Sequence, residues 1–331
     1  MFNYFYNAIL IGSLILIFGS GYSDKNLTQI ELKHVKSFEL EEEYAYDNLV
    51  NTDHYAVWYE HHTSSFYVLD LKTYEIKPIK IEKGRGPSEA TWIRSAIIME
   101  NNLILYDFGN MKLIYFDLTS GAYIKEFPAN LMLQSIITDG QNLYGSGLSP
   151  NGFFFKFDST SQKFNPLPNS TMPFLDRYNM ADPSFNPFKI QGSYSSCGGC
   201  ILFSSYYEPI LYIYSIATQR LEQYKFESIP SVDFESGRKG DMLGPPGPLK
   251  MQIESVIPIG NQSIGVLARG KSDERDYSSK FVHIFDIQTK SHKSFIQFPI
   301  ELKEISISEE YIATLSKESW SIDIYEYTFR N

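Results

Sequence analysis

Residue types on which most catalytic and metal-binding sites depend are scarce in this sequence. It has two cysteines and six histidines among 331 residues. A zinc site built on the two cysteines would need two further ligands, and the histidines form no second paired motif that could supply them. The G-x-S-x-G segment that carries the nucleophile of many serine hydrolases does not occur. The sequence therefore identifies no metal ligand and no catalytic residue.

Positive charge is also in short supply. Lys and Arg number 29 against 39 Asp and Glu, which gives a formal net charge of -10 and a pI near 5.2. Nonspecific binding to nucleic acid requires a positive surface that replaces the counterions around phosphates, so this function class is excluded. Negative charge keeps a protein soluble but selects no particular partner.

Long helical patterns are missing after residue 24. No long segment there repeats its apolar residues with a period of about 3.6, whereas the alternation typical of strands recurs throughout. In residues 102–127, short runs rich in β-branched and aromatic residues are separated by Asp, Asn and Gly, which favour turns. The sequence therefore predicts an all-β protein.

A repeat organises these strands. Each copy has an apolar residue followed by a polar residue that can bond the backbone of a turn, and in the first five copies Ser or Thr follows three places later. We interpret the polar residue as the start of a turn rather than as a catalytic carboxylate, because each copy serves its own turn. The equivalent positions are Asp70, Asp117, Asp158, Ser215, Asp286 and Glu326.

The spacing of the repeat predicts the architecture. Units of about four strands that recur every roughly 40 to 50 residues are typical of propeller blades. We therefore predict a single six-bladed β-propeller of four-stranded antiparallel blades over residues 24–331, and we expect a monomer. The last unit ends before its outermost strand, so residues 32–38 are expected to supply that strand and close the ring.

The first 23 residues form a separate segment. Residues 8–18 are an apolar run that is short for a membrane span and is followed by small residues, as in a secretory signal peptide. This pattern predicts export to the periplasm or the cell surface. The alternative is an uncleaved anchor in residues 8–18, which would be the protein's one attachment to a membrane.

Three long links between blades are predicted to lie together on one rim of the ring. They run from an outermost strand to the next innermost strand and comprise residues 82–91, 168–188 and 229–250. Tyr178 lies in the second link and Arg238 in the third. Because loops on a rigid scaffold often carry binding residues, we expect this rim to hold the ligand.

The most distinctive local string is KGRGPSE at residues 83–89. Through Gly84, Arg85, Gly86, Pro87 and Glu89, the chain resembles the TolB-like or NHL-like six-bladed propellers of the Bacteroidota, many of which are lipoproteins. The resemblance extends over roughly residues 27–331 and implies a cell-envelope protein without a settled activity. The chain departs from that group at Ser88, where Gly is common, and at Ser20, where a lipidated Cys is usual.

Two interpretations of this string remain open. Arg85 either staples the turn, by pairing with Glu89 or with a neighbouring blade, or contacts a ligand. The residues that we select as ligand-binding candidates on the predicted rim are Arg85, Glu89, Trp92, Tyr178 and Arg238.

The two cysteines flank a Gly-Gly pair between two predicted strands. Gly-Gly favours a two-residue hairpin turn, which would place Cys197 and Cys200 opposite each other. A disulfide is expected after export. Free thiols, or a redox or metal role, are the alternatives.

Together these features favour a noncatalytic binding or scaffold propeller of the bacterial envelope that recognises a protein or a glycan. No cofactor is predicted. The alternative is a metal-dependent hydrolase, lactonase or lyase, which would bind a divalent cation at the channel mouth. On a strand the adjacent His61 and His62 would point to opposite faces and could not both bind one ion, whereas in a loop they could. We expect them on the solvated surface.

Overall fold

The computed structural model describes most of the chain after the N-terminal segment. The described residues are 29–41, 44–149, 151–172, 191–206, 208–226, 238–239, 242–243, 253–259, 263–268, 270–271, 276–277, 280–316 and 319–330. The predicted signal segment and Tyr178 lie outside them. None of these residues forms a helix that is long and apolar enough to cross a bilayer.

The described strands form six four-stranded antiparallel sheets, which are the predicted blades. Blade one contains β2 (Tyr46–Asn51), β3 (Tyr55–Glu60), β4 (Ser65–Asp70) and β5 (Ile76–Lys80). Blade two contains β6 (Ile93–Met99), β7 (Asn102–Asp107), β8 (Lys112–Asp117) and β9 (Tyr123–Pro128). Blade three contains β10 (Leu133–Thr138), β11 (Leu143–Ser149), β12 (Gly152–Asp158) and β13 (Lys163–Pro166).

Blades four to six follow the same plan. Blade four contains β14 (Gly192–Cys197), β15 (Cys200–Ser205), β16 (Ile210–Ser215) and β17 (Arg220–Lys225). Blade five contains β20 (Ile253–Ile259), β21 (Ser263–Ala268), β24 (Phe281–Asp286) and β25 (His292–Gln297). Blade six contains β26 (Leu302–Ile307), β27 (Tyr311–Ser316), β28 (Ser321–Arg330) and, as its outermost strand, β1 (Gln29–Glu39).

Two short hairpins lie outside the blades. One pairs β18 (Arg238–Lys239) with β19 (Met242–Leu243), inside the predicted long link 229–250. The other pairs β22 (Gly270–Lys271) with β23 (Asp276–Tyr277), between the second and third strands of blade five. Both therefore extend loops and add no blade.

The blades close into a ring around their innermost strands. β2, β6, β10, β14, β20 and β26 contact one another in that order, and β26 contacts β2. Burial falls from the middle of each blade outward: Ile104 and Leu105 on β7 are fully buried, whereas Tyr123 and Ile124 on β9 are 39% and 44% exposed. The apolar residues of each blade thus pack against the neighbouring blades.

The ring is closed by the chain ends, as predicted. β1 pairs antiparallel with β28, with Lys33 opposite Glu326, and the strand extends beyond the predicted residues 32–38 at both ends. Lys33 Nζ lies 2.8 Å from Glu326 Oε2, and the Ser37 hydroxyl donates to Asp323. This pairing covers the open edge of β28 and one edge of β1.

The closing strand also brings together Ser37, His34 and Asp323, which are residue types of a hydrolytic triad. In a triad the carboxylate orients the histidine through the nitrogen that faces away from the serine. Here His34 Nε2 approaches both Ser37 Oγ, at 2.9 Å, and Asp323, at 3.6 Å, and the serine hydroxyl bonds the carboxylate directly. The cluster therefore fastens β1 to β28 and has no activated nucleophile.

The repeat residues start turns in five of the six blades. Backbone amides of Thr73, Ser120 and Thr289 donate to Asp70, Asp117 and Asp286 at 2.7 to 2.8 Å. Equivalent bonds are made by Asp158 and Ser215.

The interpretation of Glu326 as a turn-starter is wrong. Its position in blade six is equivalent to that of Asp70 in blade one. Glu326 lies opposite Tyr311, and Asp70 lies opposite Tyr55. In blade six, however, the third strand continues to Arg330, because it pairs along its length with β1. The Glu326 carboxylate consequently pairs with Lys33 across the closing strand.

Deletion of residues 24–40 should destabilise the whole ring, because it removes the pairing partner of β28. We expect the melting temperature to fall by at least about 5 °C relative to the full chain, measured by thermal denaturation. Deletion of residues 1–23 alone, which leaves β1 intact, is the matched control. Equal melting temperatures for the two truncated proteins would contradict the closing role of β1.

Candidate functional site

A channel runs through the middle of the ring. It encloses about 1060 Å³ and is lined by the six innermost strands. We call the edge of the ring at which these strands begin the upper rim. Among the described residues, this rim contains the link 82–92, the turns 61–64 and 108–111, and residues 129–132. Turns between second and third strands share this rim because the strands are antiparallel.

The innermost strands are bulged just below the upper rim. The pairing register shifts at Arg94 in β6, at Gln134 in β10, at Glu254 in β20 and at Lys303 in β26. β2 shifts between Asp47 and Val50, whereas β14 pairs without a shift. Because a bulge re-aims a side chain and bends its strand, these strands place polar side chains around the channel mouth.

Side chains of one blade also bond the backbone of the next blade just after these bulges. The amide of Leu49 donates to Glu304 Oε2 at 2.8 Å, and the amide of Val256 donates to Ser193 Oγ at 2.9 Å. Ile136 donates in the same way to Ser95 Oγ at 3.3 Å. Adjacent blades are therefore fixed to each other at the wall of the channel.

Arg94 is clamped at the channel mouth. Its Nε donates to the backbone oxygen of Gln134 at 3.0 Å, and its Nη2 donates to Gln134 Oε1 at 2.5 Å. The guanidinium carbon lies 5.4 Å from the centre of the Phe108 ring and 5.9 Å from that of Trp92. The positive charge thus combines hydrogen bonds to neutral groups with contacts to two aromatic rings.

Trp92 is the largest exposed aromatic side chain of the upper rim. It is 55% exposed and packs edge-to-face on Phe108, with 4.8 Å between ring centres. Its backbone amide donates to the buried carboxylate of Asp107 at 3.0 Å. Met132, which precedes β10 as Trp92 precedes β6, is 56% exposed. The rim therefore presents apolar surface on a firmly held backbone.

The predicted staple in residues 83–89 is formed by Glu89, without Arg85. Glu89 Oε2 accepts a hydrogen bond from the Gly86 amide at 2.6 Å. A Cβ atom at Gly84 would lie 2.0 Å from that oxygen, so a side chain at position 84 would displace the Glu89 carboxylate from its bond to Gly86. Lys112 Nζ donates to the Gly86 oxygen at 2.7 Å and ties the loop to blade two.

Arg85 itself is exposed, and no described residue forms an ion pair with it. The expected pairing with Glu89 is therefore wrong, because that carboxylate bonds the loop's own backbone, and no described residue of a neighbouring blade forms an ion pair with Arg85. Contact with a ligand remains a prediction. Glu89 is half-buried, and its carboxylate holds the loop through the Gly86 amide.

A second group of charges lies on the blades that close the ring. Burial raises the pKa of Glu304 to about 7; the bond from the Leu49 amide opposes this rise, and the nearby Asp47 carboxylate adds to it. Asp47 lies 2.8 Å from His61 Nε2, and Lys303 Nζ donates to the backbone oxygen of Tyr46. His61 thus faces the channel mouth, although it is exposed as expected.

The metal-dependent alternative finds no support in the described part of the chain. No group of three His, Cys, Asp or Glu side chains there could hold a metal ion. His62 stacks on Tyr44, with 4.5 Å between ring centres, while His61 pairs with Asp47. The adjacent histidines are therefore directed to different partners.

The cysteines lie at the opposite rim, in the hairpin between β14 and β15. Cys197 and Cys200 are directly opposite in register, and their sulfurs are bonded, with 5.1 Å between the Cα atoms. Gly199 adopts a φ of 101°, which the tight turn requires and which other residues avoid. The disulfide therefore staples a hairpin remote from the channel mouth.

Of the predicted site residues, the structure places Arg85, Glu89 and Trp92 in one link on the upper rim. Arg238 belongs to a two-residue strand whose side chains are not described. The sequence analysis missed Arg94, although a signal was present: two consecutive polar residues interrupt the alternation where an innermost strand begins. The segments are IRSA at 93–96, LQSI at 133–136, IESV at 253–256 and LKEI at 302–305.

Comparison with known proteins agrees with this architecture. Residues 48–242 match the model of the family DUF5128, described as a 6-bladed beta-propeller. No curated protein is detectably similar in sequence.

Two solved structures share the fold. One is a protein from Bacteroides fragilis described as exported, at 14% identity and a TM-score of 0.55, with 94% of this chain and 98% of that chain covered. The other is a member of the duf4221 family from Bacteroides vulgatus, at 12% identity and a TM-score of 0.58, with 93% and 100% covered. At such low identity the likeness concerns the fold alone.

The carboxyl of the half-buried Glu304 should make stability depend on pH. Burial raises its pKa from 4.5 to about 7, so the folded state holds the proton more tightly than the unfolded chain. The stabilisation that the protonated carboxyl contributes is fully present below about pH 4.5 and is lost as pH rises through 7. Between these limits, acidification should stabilise the wild type relative to Glu304→Gln by up to about 1.4 kcal/mol per pH unit. Urea unfolding at several pH values measures this difference.

Glu309→Gln, at an exposed carboxyl of the same blade, is the control for that experiment. It should leave the pH dependence of the unfolding free energy unchanged. Parallel pH profiles for the wild type and Glu304→Gln would contradict a protonated Glu304.

Proposed function

Because the chain belongs to the DUF5128 family of six-bladed β-propellers, we propose that it is a noncatalytic binding propeller of the bacterial cell envelope. It is exported to the periplasm or the cell surface and recognises a glycan through its upper rim. Export is supported by the apolar residues 8–18 and by the similar fold of an exported Bacteroides protein. The resemblance to TolB-like and NHL-like envelope propellers also supports export.

The observation that carries this proposal is the exposed Trp92. Its indole is 55% exposed, and aromatic faces are suited to the apolar faces of sugars and to partner side chains. Its backbone is fixed by Asp107, so little conformational entropy remains to be lost on binding. This combination is typical of a preformed recognition surface.

A glycan is favoured over a protein by the small extent of the surface. Trp92 and Met132 are the large exposed apolar side chains of the described rim, whereas a stable protein interface buries about 800 Å² on each partner. Polar groups of the channel mouth lie beside the indole and suit hydroxyl groups. A protein partner is the alternative outcome of the tests below.

Replacement of Trp92 by Ala should abolish stabilisation by a glycan. In a thermal-shift screen of neutral and acidic oligosaccharides, a ligand at about 100 times its dissociation constant adds about 2.7 kcal/mol, which raises the melting temperature by several degrees. The control is Tyr123→Ala, which removes a partly exposed aromatic residue from β9 and should retain the shift. The absence of any glycan-induced shift in the wild type would refute glycan recognition and favour a protein partner.

Replacement of Arg85 by Ala separates its two predicted roles. Because the exposed Arg85 has no ion pair with a described residue, we expect an unchanged melting temperature and a weaker response to the glycan identified in the screen. Gly84→Ala is the contrasting variant, since its Cβ would clash with Glu89 and should lower the melting temperature. A large fall for Arg85→Ala would show instead that Arg85 staples the loop.

A further inference from the structure

Arg94 carries a positive charge at the channel wall without a negative partner among the described residues. Its hydrogen-bond acceptors there are the backbone and side-chain oxygens of Gln134, which are neutral, and its other contacts are the rings of Trp92 and Phe108. The guanidinium stays charged at every physiological pH. Arg94 is half-buried, and charges partly withdrawn from water are normally paired, so this position favours an anion.

The guanidinium is also oriented so that it can bind an anion. Two of its five N–H groups are used by Gln134, so three remain, and Arg94 lines the channel. Because both nitrogens that bond Gln134 are fixed, the orientation of the remaining donors is set before any ligand arrives. Such a planar fork matches a carboxylate in two parallel hydrogen bonds.

Charge around the channel mouth is distributed unevenly. Blades three and four add the neutral groups Gln134, Ser135 and Tyr194, whereas the acidic residues Glu254 and Glu304 lie on blades five and six, together with Lys303. Burial raises the pKa of Tyr194, and the positive charge of Arg94 opposes that rise. The side of the mouth formed by blades two to four is therefore the side that favours an anion.

The remaining carboxylate of the channel mouth, Asp47 on blade one, is already engaged. It lies 2.8 Å from His61 Nε2 and accepts a hydrogen bond from Asn48 Nδ2 at 2.7 Å. It consequently has partners of its own and does not neutralise Arg94.

A neighbouring aromatic ring suits a sugar. The exposed indole of Trp92 is 5.9 Å from the guanidinium carbon, so one ligand can reach both. An apolar platform beside a cationic fork corresponds to the ring face and the carboxylate of a sugar acid.

We infer that the side of the channel mouth formed by blades two to four binds a uronic acid residue of an acidic glycan, with Arg94 as the partner of its carboxylate and Trp92 as the platform for its ring. This inference rests on the proposed function, for which it names the ligand class. Arg94 is a binding residue here, and no covalent step is involved.

Isothermal titration of the full chain with tetragalacturonate and with its fully methyl-esterified form tests the inference, because the two probes differ in charge and share their sugar rings. We expect the wild type to bind the acid at least about tenfold more tightly than the ester, as expected for one desolvated ion pair. Arg94→Gln should remove this preference and leave binding of the ester unchanged. The preference should also weaken as salt is raised.

Two further variants guard against misfolding and nonspecific charge effects. Arg220→Gln removes an exposed arginine of β17, far from the innermost strands, and should bind like the wild type. Gln134→Ala retains the charge of Arg94 but releases its clamp, and should weaken binding of the acid several-fold. Melting temperatures of all variants establish that they are folded.

The outcomes distinguish failure of the uronic acid inference from failure of the proposed function. Equal affinity of the wild type for acid and ester, or an unchanged preference in a folded Arg94→Gln, would overturn the inference. If neither probe binds while a neutral glycan stabilises the wild type through Trp92, the inference fails and the proposed function stands. If no glycan binds at all, both proposals fail.

Discussion

The pairing of β1 with β28 is the contact on which the rest of the structure depends. Until the two ends of the chain meet, the sixth blade lacks its outermost strand and an open sheet edge remains. The pairing extends over most of both strands and is reinforced by Lys33 with Glu326 and by Ser37 with Asp323. Because the channel exists only inside a closed ring, a contact on the outside of the protein controls the site at its centre.

The bulged innermost strands convert this ring into a rigid site. A bulge frees a polar side chain from the regular alternation, and side chains such as Ser95 and Glu304 then bond the backbone of the neighbouring blade. Arg94 makes the same kind of connection, from blade two to Gln134 of blade three. The groups at the channel mouth are therefore positioned by blade packing as much as by their own strands, which favours binding with little reorganisation.

Similar residue types have different roles on the two sides of the ring. The repeated carboxylates Asp70, Asp117 and Asp286 start turns and accept hydrogen bonds from backbone amides of those turns. For Asp286, burial acts to raise the pKa, but hydrogen bonds from Lys293 and Thr289 outweigh it and lower the pKa to about 2. At the channel mouth, by contrast, burial raises the pKa of Glu304. Chemical type alone therefore identifies no functional residue here; the surroundings do.

Six blades, the strand pattern, the turn-starting Asp residues and the closing strand followed from the sequence, because period-two alternation and turn chemistry are properties of neighbouring residues. The Glu326 turn was wrong, and the role of Arg94 was missed although its pair of consecutive polar residues is visible in the sequence, because both depend on residues far away along the chain. Glu326 is drawn into a long strand by β1, nearly three hundred residues earlier, and Arg94 meets Gln134, forty residues later. Such relations are decided only when the ring closes, because closure and not the local pattern determines which side chains share the channel mouth.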